Sequence, residues 1–463
     1  MNKVATKRTI DFTDGPVFGK MLRFALPIMA TALLQTLYNA SDMIVVGQFS
    51  PNGAFSMGAV GACGSLISLC INFFIGLSSG VGVCVAQALG AGHHDEVRKY
   101  THTSAVISLI CGIALGIFGF FFARPLLTLM GTPENLLVEA VPYMQAYFVG
   151  APAMLVYNFL ASSLRSVGDS KRPLIFLTIS GFINVIVNFI MVVFFGMGAV
   201  GVGIATTVAQ YVSAIMIVSY MMRTDGVSSL NVKELRIDKT MVRGIMQNGV
   251  PVGVQSIVFS LSNVLIQSTI NTYGDIVVTG NSTAANLESF IYVAMNSVAI
   301  ATTTVVGQNV GAGKVERIKR ILPISLALVS FIGITFGILV NVFGEQLLSI
   351  YESGHDAISQ AIRDAGKVRL LFISIPYFLC GCMDCISYSL KGMGRAAISM
   401  IVCILGSCVV RIIWISTVCP LFPQQIGALY IVYPVSYVIT ISGLTFFLIK
   451  AYKQMTAPRG VRA

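Results

Sequence analysis

The stretch Phe24–Phe49 reads FALPIMATALLQTLYNASDMIVVGQF, and its reading decides the fold. It is apolar and long enough to cross a bilayer core as a helix, which takes about 20 residues. One acid, Asp42, interrupts it near the end. A charged side chain at the bilayer centre costs about 2.5–3.5 kcal/mol on insertion scales, so an intramembrane carboxylate needs a reason. Gln35, Tyr38, Asn39 and Asp42 recur at spacings of three and four, which places them on one helical face. That face is expected to meet protein or water rather than lipid.

The rest of the chain has the same character. Of its 463 residues 55% are hydrophobic and only 11% charged, with a mean hydropathy of +0.82, which excludes an ordinary soluble domain of this size. Twelve apolar segments of spanning length can be counted between residues 21 and 450. The 44 glycines suit helices that approach closely through small residues. Met1 to Lys20 is polar and the first apolar segment is long enough to span, so no cleavable signal peptide is expected. All ten cysteines lie in or beside apolar segments and read as buried thiols. The CGCMDC cluster at Cys380 to Cys385 lacks the polar loop of a zinc site.

The net charge of +11 raises a nucleic-acid reading, which the placement of the basic residues opposes. With both termini on the cytoplasmic side, 25 of the 30 Lys and Arg fall in inside segments and only Arg124, Arg363, Lys367 and Arg369 in outside loops. Arg411 is left within an apolar segment. This is the positive-inside pattern of a multi-pass membrane protein, and no nucleic-acid partner is expected.

The chain also repeats itself. AQALGAGHHDEVRK from Ala86 returns as GQNVGAGKVERIKR from Gly307, with Gln87 and Gln308 221 residues apart. Pro27 and Pro251 differ by 224, and the basic loops at Leu164 and Leu390 by 226. Three landmarks at closely similar offsets of 221 to 226 indicate two six-helix copies. An even number of helices per copy makes the repeat parallel, related by an axis along the membrane normal. The expected domains are an N-terminal lobe over residues 1–223, a cytoplasmic linker over 224–246 and a C-terminal lobe over 247–463.

Five features of the chain resemble the multidrug and toxic compound extrusion (MATE) family: TDGP at Thr13 to Pro16; FALP with the YNxxDxxxVG run ending at Gly47; the twin QxxGAG loops; the LRSVGD and LKGMG loops; and GVGIATTVAQ at Gly201 to Gln210. They run in order over nearly the whole chain. The resemblance implies an all-α integral membrane fold, with twelve transmembrane helices in two lobes around a central cavity. It also implies export of organic, often cationic compounds in exchange for H⁺ or Na⁺. Carried over by position, the family's cation site is Asp42, Asn184, Asn188 and Thr206. Many members carry Asp where Asn188 stands, so the second carboxylate is missing here.

The residues make their own case for that site. Asn184 and Asn188 are one turn apart, and they, Asp42 and Thr206 all fall in the outer half of their segments. Four oxygen-bearing side chains at one depth suit Na⁺, or one exchangeable proton on Asp42. The alternative is an Asn pair that packs helices through hydrogen bonds. Asp42 reads as the only acid of its lobe's core. In the C-terminal half Gln255, Asn263, Gln267, Glu288, Asp384 and Arg411 are the polar candidates. Glu288 reads either as a second proton or substrate-cation site or as an acid reaching interfacial water. Asp384 and Arg411 read as a structural ion pair.

Pro27, Pro152 and Pro251 lie inside apolar segments, where proline permits a bend; Pro27 reads as a hinge or as a static kink. Tyr147 and Tyr157, with Tyr143, share a broad helical side and read as aromatic platforms for a cation or as packing. The GAG loops lack the Lys-Ser or Lys-Thr ending of a phosphate-binding loop and read as turns. The expected function is secondary-active multidrug efflux by a monomer in the plasma membrane, in contact with lipid and without a cofactor. A lipid-linked precursor flippase of the same superfamily is the alternative, although one intramembrane Arg is few for a cationic cavity. A channel is opposed by the absence of a filter sequence, and an enzyme by the absence of a convergent catalytic set.

Overall fold

The computed structural model describes residues 9–50, 53–352, 354, 356–422 and 425–457. Both termini, expected to be cytoplasmic, lie outside the described residues. No strand occurs among the residues described. The helices of the first half are α1 (Val17–Phe49), α2 (Gly53–Gly90), α3 (His94–Leu129), α4 (Glu134–Val149), α5 (Ala151–Ser166), α6 (Lys171–Phe189) and α7 (Gly198–Arg223). The second half contains α8 (Lys239–Asn271), α9 (Asp275–Gly311), α10 (Ile318–Val342), α11 (Gly344–Tyr351), α12 (Ala357–Arg369) and α13 (Phe378–Gly392). It closes with α14 (Ala396–Cys403), α15 (Val410–Thr417), α16 (Ile426–Tyr430) and α17 (Val432–Thr456).

Ten helices among the described residues are long and apolar enough to cross a membrane, and two bent pairs bring the count to twelve. The bent pairs explain where segment lengths mislead. Pro152, expected inside a helix, opens α5 instead, and the chain turns by 46° between α4 and α5 at Gly150. Proline fits a first helical turn because its missing N–H has no partner there. Gly150 meets α7 so closely that a Cβ on it would stand 1.9 Å from the Gln210 side-chain oxygen. The second bend, of 43°, falls between the π-turn Leu370–Ser374 and α13, where Pro376 interrupts the helix.

The contacts group the described chain into two units. One comprises Ala30–Gly253 with the segment ending at Asp11, the other Phe12–Met29 with Val254 onward. The grouping therefore cuts through α1 and α8 rather than falling between the sequence halves. In the first unit Met144, Phe148 and Leu155 pack with Val46, Ala59, Leu127 and Val202, and Asn248 near the start of α8 donates to Cys84 Sγ at 3.7 Å. Burying a side chain of this size contributes about 1.5–3 kcal/mol, so each layer is well supported. In the second unit Phe12 and Phe24 meet edge to face at 5.1 Å, and Ser325 on α10 donates to Met21 Sδ at 3.5 Å.

The TDGP segment belongs to the second unit and docks where α9 gives way to α10. The Phe12 N–H donates to Gln308 Oε1 at 3.2 Å, Asn309 Nδ2 donates to the Phe12 carbonyl at 3.1 Å, and Lys314 Nζ to Asp14 Oδ1 at 2.6 Å. The Lys314 ammonium holds the Asp14 carboxyl below the usual carboxylate range. The second GAG loop is thus a turn with a docking partner.

Candidate functional site

Three helices of the first unit bring the polar side chains together. Asp42 comes from α1, Asn184 and Asn188 from successive turns of α6, and Thr206 from α7. Asn188 is fully buried, and its Nδ2 donates to Asp42 Oδ1 at 2.8 Å. With the Asn184 amide oriented to satisfy both neighbours, its nitrogen donates to the same Oδ1 at 3.0 Å and its oxygen accepts from the Thr206 N–H at 3.3 Å. The second acceptor of this amide pair is orphaned: Asn188 Oδ1 is buried with no partner. A buried carbonyl without a donor carries a desolvation penalty of about 1–3 kcal/mol, so the site holds an unmet demand for a proton donor or a cation.

Tyr38 stands one turn before Asp42 and packs on α6. Its hydroxyl donates to the Thr178 carbonyl at 3.3 Å. A Cβ on Gly181 would lie 1.9 Å from the Tyr38 ring, so glycine there is what lets the ring seat. Gln35 and Asn39, on the same face, are exposed. Pro27 lies within an unbroken α1. Tyr147 is half-buried beside Tyr143, ring centroids 6.4 Å apart. Tyr157 is not free to stack on a ligand: it is buried and its hydroxyl donates to the Pro173 carbonyl at 2.8 Å.

Asp42 is not the only acid within the first unit's helices. Glu139 on α4 accepts from Ser56 Oγ at 2.5 Å and from the Ala199 N–H at 3.3 Å. A carboxylate at that point caps the start of α7 and complements its dipole. The sequence signal was an acid in an apolar segment, as for Asp42, with no polar face around it.

The second unit differs from the sequence expectation at two acids. Glu288 does not reach interfacial water. It is buried against Arg369, whose Nε and Nη2 donate to its two carboxylate oxygens at 3.1 and 2.6 Å. Arg369, counted among the outside-loop charges, is itself buried; its Nη1 donates to Asn281 Oδ1 at 2.6 Å. Tyr430 donates to that Asn281 oxygen at 3.1 Å, while Asn281 Nδ2 donates to Gln267 Oε1 at 3.4 Å. Arg369 was counted outside because it stands at the start of an apolar segment, whereas the bent helix pair that forms this span already begins at Ala357.

Asp384 and Arg411 do not pair. Arg411 Nε donates to Ser436 Oγ at 3.0 Å, and its guanidinium faces the rings of Tyr433 and Tyr437 at 4.6 and 5.3 Å. Arg411 is turned to α17, which carries Ser436, Tyr433 and Tyr437, whereas Asp384 lies on α13. Asp384 is half-buried on α13. Gln255 is buried with Oε1 unpartnered, and Asn263 is exposed. Among the described residues no group of three or more His, Cys, Asp or Glu could hold a metal.

A family model, MatE, matches residues 27–190 and 251–415, one copy for each half. The chain belongs to the MatE family. Its relatives include the probable multidrug resistance protein YpnP of Bacillus subtilis, 26% identical over 85% of this chain and 86% of that protein. Another is the multidrug export protein MepA of Staphylococcus aureus, 22% identical over 87% of this chain and 88% of that one. Among solved structures, an outward-facing multidrug resistance MATE family transporter of the MOP superfamily superposes with a TM-score of 0.88 at 19% identity, over 98% of this chain and all of that one. The MatE chain is thus a multi-pass membrane transporter for small molecules rather than an enzyme. Its two matched stretches coincide with the repeat that begins at Pro27 and Pro251.

Proposed function

We propose that this MatE protein is a secondary-active multidrug antiporter of the plasma membrane, exporting organic cationic or amphipathic compounds in exchange for H⁺ or Na⁺. The observation that carries the reading is the orphaned Asn188 oxygen beside the Asp42 carboxylate. A proton on Asp42 would supply a donor to that oxygen once the amide turns. A Na⁺ ion would instead take oxygens from Asp42, Asn184, Asn188 and Thr206. Either event removes the unmet acceptor and weakens the present amide contacts, giving the two protonation or ion states different conformational preferences. Only such differential binding can transmit an ion gradient to a conformational change. One monovalent cation crossing 100 mV supplies about 2.3 kcal/mol before its concentration gradient is added.

The reading further assigns the lobes to residues 1–223 and 247–463, both termini to the cytoplasm, and a monomer in contact with lipid as the working form. It is supported by the distribution of basic residues and by the names of the relatives. The lipid-linked precursor flippase is the second reading. The second unit favours it in one respect, since Arg411 has no carboxylate partner among the described residues.

The test is ethidium transport in proteoliposomes under an imposed pH gradient or an imposed Na⁺ gradient. One of the two gradients is expected to drive substrate movement, and Asp42→Asn to reduce it to the level of protein-free vesicles while protein yield is kept. Normal gradient-driven transport by Asp42→Asn would falsify the assignment.

A further inference from the structure

The linker between the halves is docked on the first unit through a histidine that the transport reading leaves unused. His102 lies in the third turn of α3 and is 3% exposed. Its Nδ1 is 2.7 Å from the Arg98 carbonyl oxygen, which can only accept, so Nδ1 carries the hydrogen. Its Nε2 is 3.0 Å from the Asn231 backbone nitrogen, which can only donate, so Nε2 is bare. Partners of opposite kind on the two ring nitrogens therefore select one neutral tautomer.

The other ties between linker and unit are of a different sort. The Leu230 N–H donates to the Met221 carbonyl at 2.9 Å. The Thr103 hydroxyl bridges the Arg236 carbonyl and the Asp238 N–H, both at 3.4 Å, and Arg98 pairs with Glu234 at 2.9 Å in an exposed position. The charged groups on the elements around the ring are Asp95, Glu96, Arg98 and Lys99 in the first turns of α3, Arg165 at the end of α5 and Arg223 at the end of α7. To these the linker adds Asp225, Lys233, Glu234, Arg236 and Asp238, and the start of α8 adds Lys239 and Arg243. Imidazole is the one side chain of this set whose ordinary chemistry changes charge between about pH 5 and 8.

We propose that His102 is a proton-operated latch for the linker Thr224–Asp238. The neutral ring holds Asn231. A proton on Nε2 replaces the acceptor by a donor facing the Asn231 N–H, and a hydrogen bond becomes a repulsion in a buried place. Docking is complete at high pH and is lost as the pH on the linker side falls. The linker runs directly into α8, so its release loosens the tether of that helix on the first unit.

The test is hydrogen–deuterium exchange of the full-length protein in detergent, followed on linker peptides at about pH 8 and about pH 5.5 and corrected for intrinsic exchange. The wild-type linker is expected to lose about tenfold in protection at the lower pH, the scale of one buried hydrogen bond. His102→Gln offers a non-titrating amide oxygen to Asn231 and is expected to keep its protection at both values. His102→Lys cannot accept, and its linker is expected to exchange fast at both. Either variant decides alone if the other does not fold. An unchanged wild-type linker, an equal loss in His102→Gln, or full protection in His102→Lys at the higher pH overturns the latch.

Discussion

At Asp42 one carboxylate oxygen collects two amide donors while a neighbouring amide oxygen is left with none. That imbalance separates the residues by role. Removing the carboxylate removes the group proposed to exchange charge, whereas removing Asn188 deletes one donor and the orphaned acceptor together. Asn188→Ala is therefore expected to retain measurable gradient-driven ethidium transport where Asp42→Asn retains none; equal loss in the two would make Asn188 an obligate ligand. The neighbouring Tyr38 ring imposes a second constraint, because Gly181 has no room for a side chain. Gly181→Val is expected to destabilise the protein by about 1–3 kcal/mol, the usual range for overpacking. Thermal unfolding in detergent measures it, and a midpoint equal to wild type would mean that α1 and α6 can part there without loss.

At the scale of elements, the buried Glu288–Arg369 pair ties α9 to the end of α12, just before the π-turn and the 43° bend. Breaking one side of a buried pair leaves an uncompensated charge and costs about 3–5 kcal/mol, more than the pair itself contributes. Arg369→Met is thus expected to lower the unfolding midpoint strongly, and adding Glu288→Met to restore most of it. A double variant no better than the single would show that Asn281 and Tyr430, not the charge, govern the loss. This pair also marks what the sequence could and could not reveal. Twelve spans and the two copies were legible, because apolar length and fixed-offset landmarks are properties of the chain itself. So was the convergence of Asp42, Asn184, Asn188 and Thr206 at one depth, since depth can be counted along a helix. The partners of Glu288 and Arg411 were not. Pairing between helices depends on their rotation and on bends such as Gly150 and Pro376, to which residue spacing is blind.

Across the whole molecule the two copies are alike in scaffold and unlike in chemistry. At the repeat offset of 224, Asp42 corresponds to Ile266, and at 226, Asn184 and Asn188 correspond to Val410 and Trp414. No counterpart of the Asp42 cluster is therefore encoded in the second copy. That copy carries instead Asp384, half-buried and without an ion-pair partner among the described residues, together with Glu288, whose charge is already met by Arg369. The antiport proposal then predicts a division of labour, in which the first copy exchanges the ion and Asp384 of the second meets the charge of a cationic substrate. Asp384→Asn is accordingly expected to raise the KM for ethidium by about tenfold, the worth of one charge-assisted contact, while its transport keeps the same dependence on the imposed ion gradient. Initial rates in proteoliposomes over a range of ethidium concentrations, measured with and without the gradient, separate the two effects. Loss of the gradient dependence with KM unchanged would place the ion at Asp384 as well, and the two copies would then share the coupling despite their different residues.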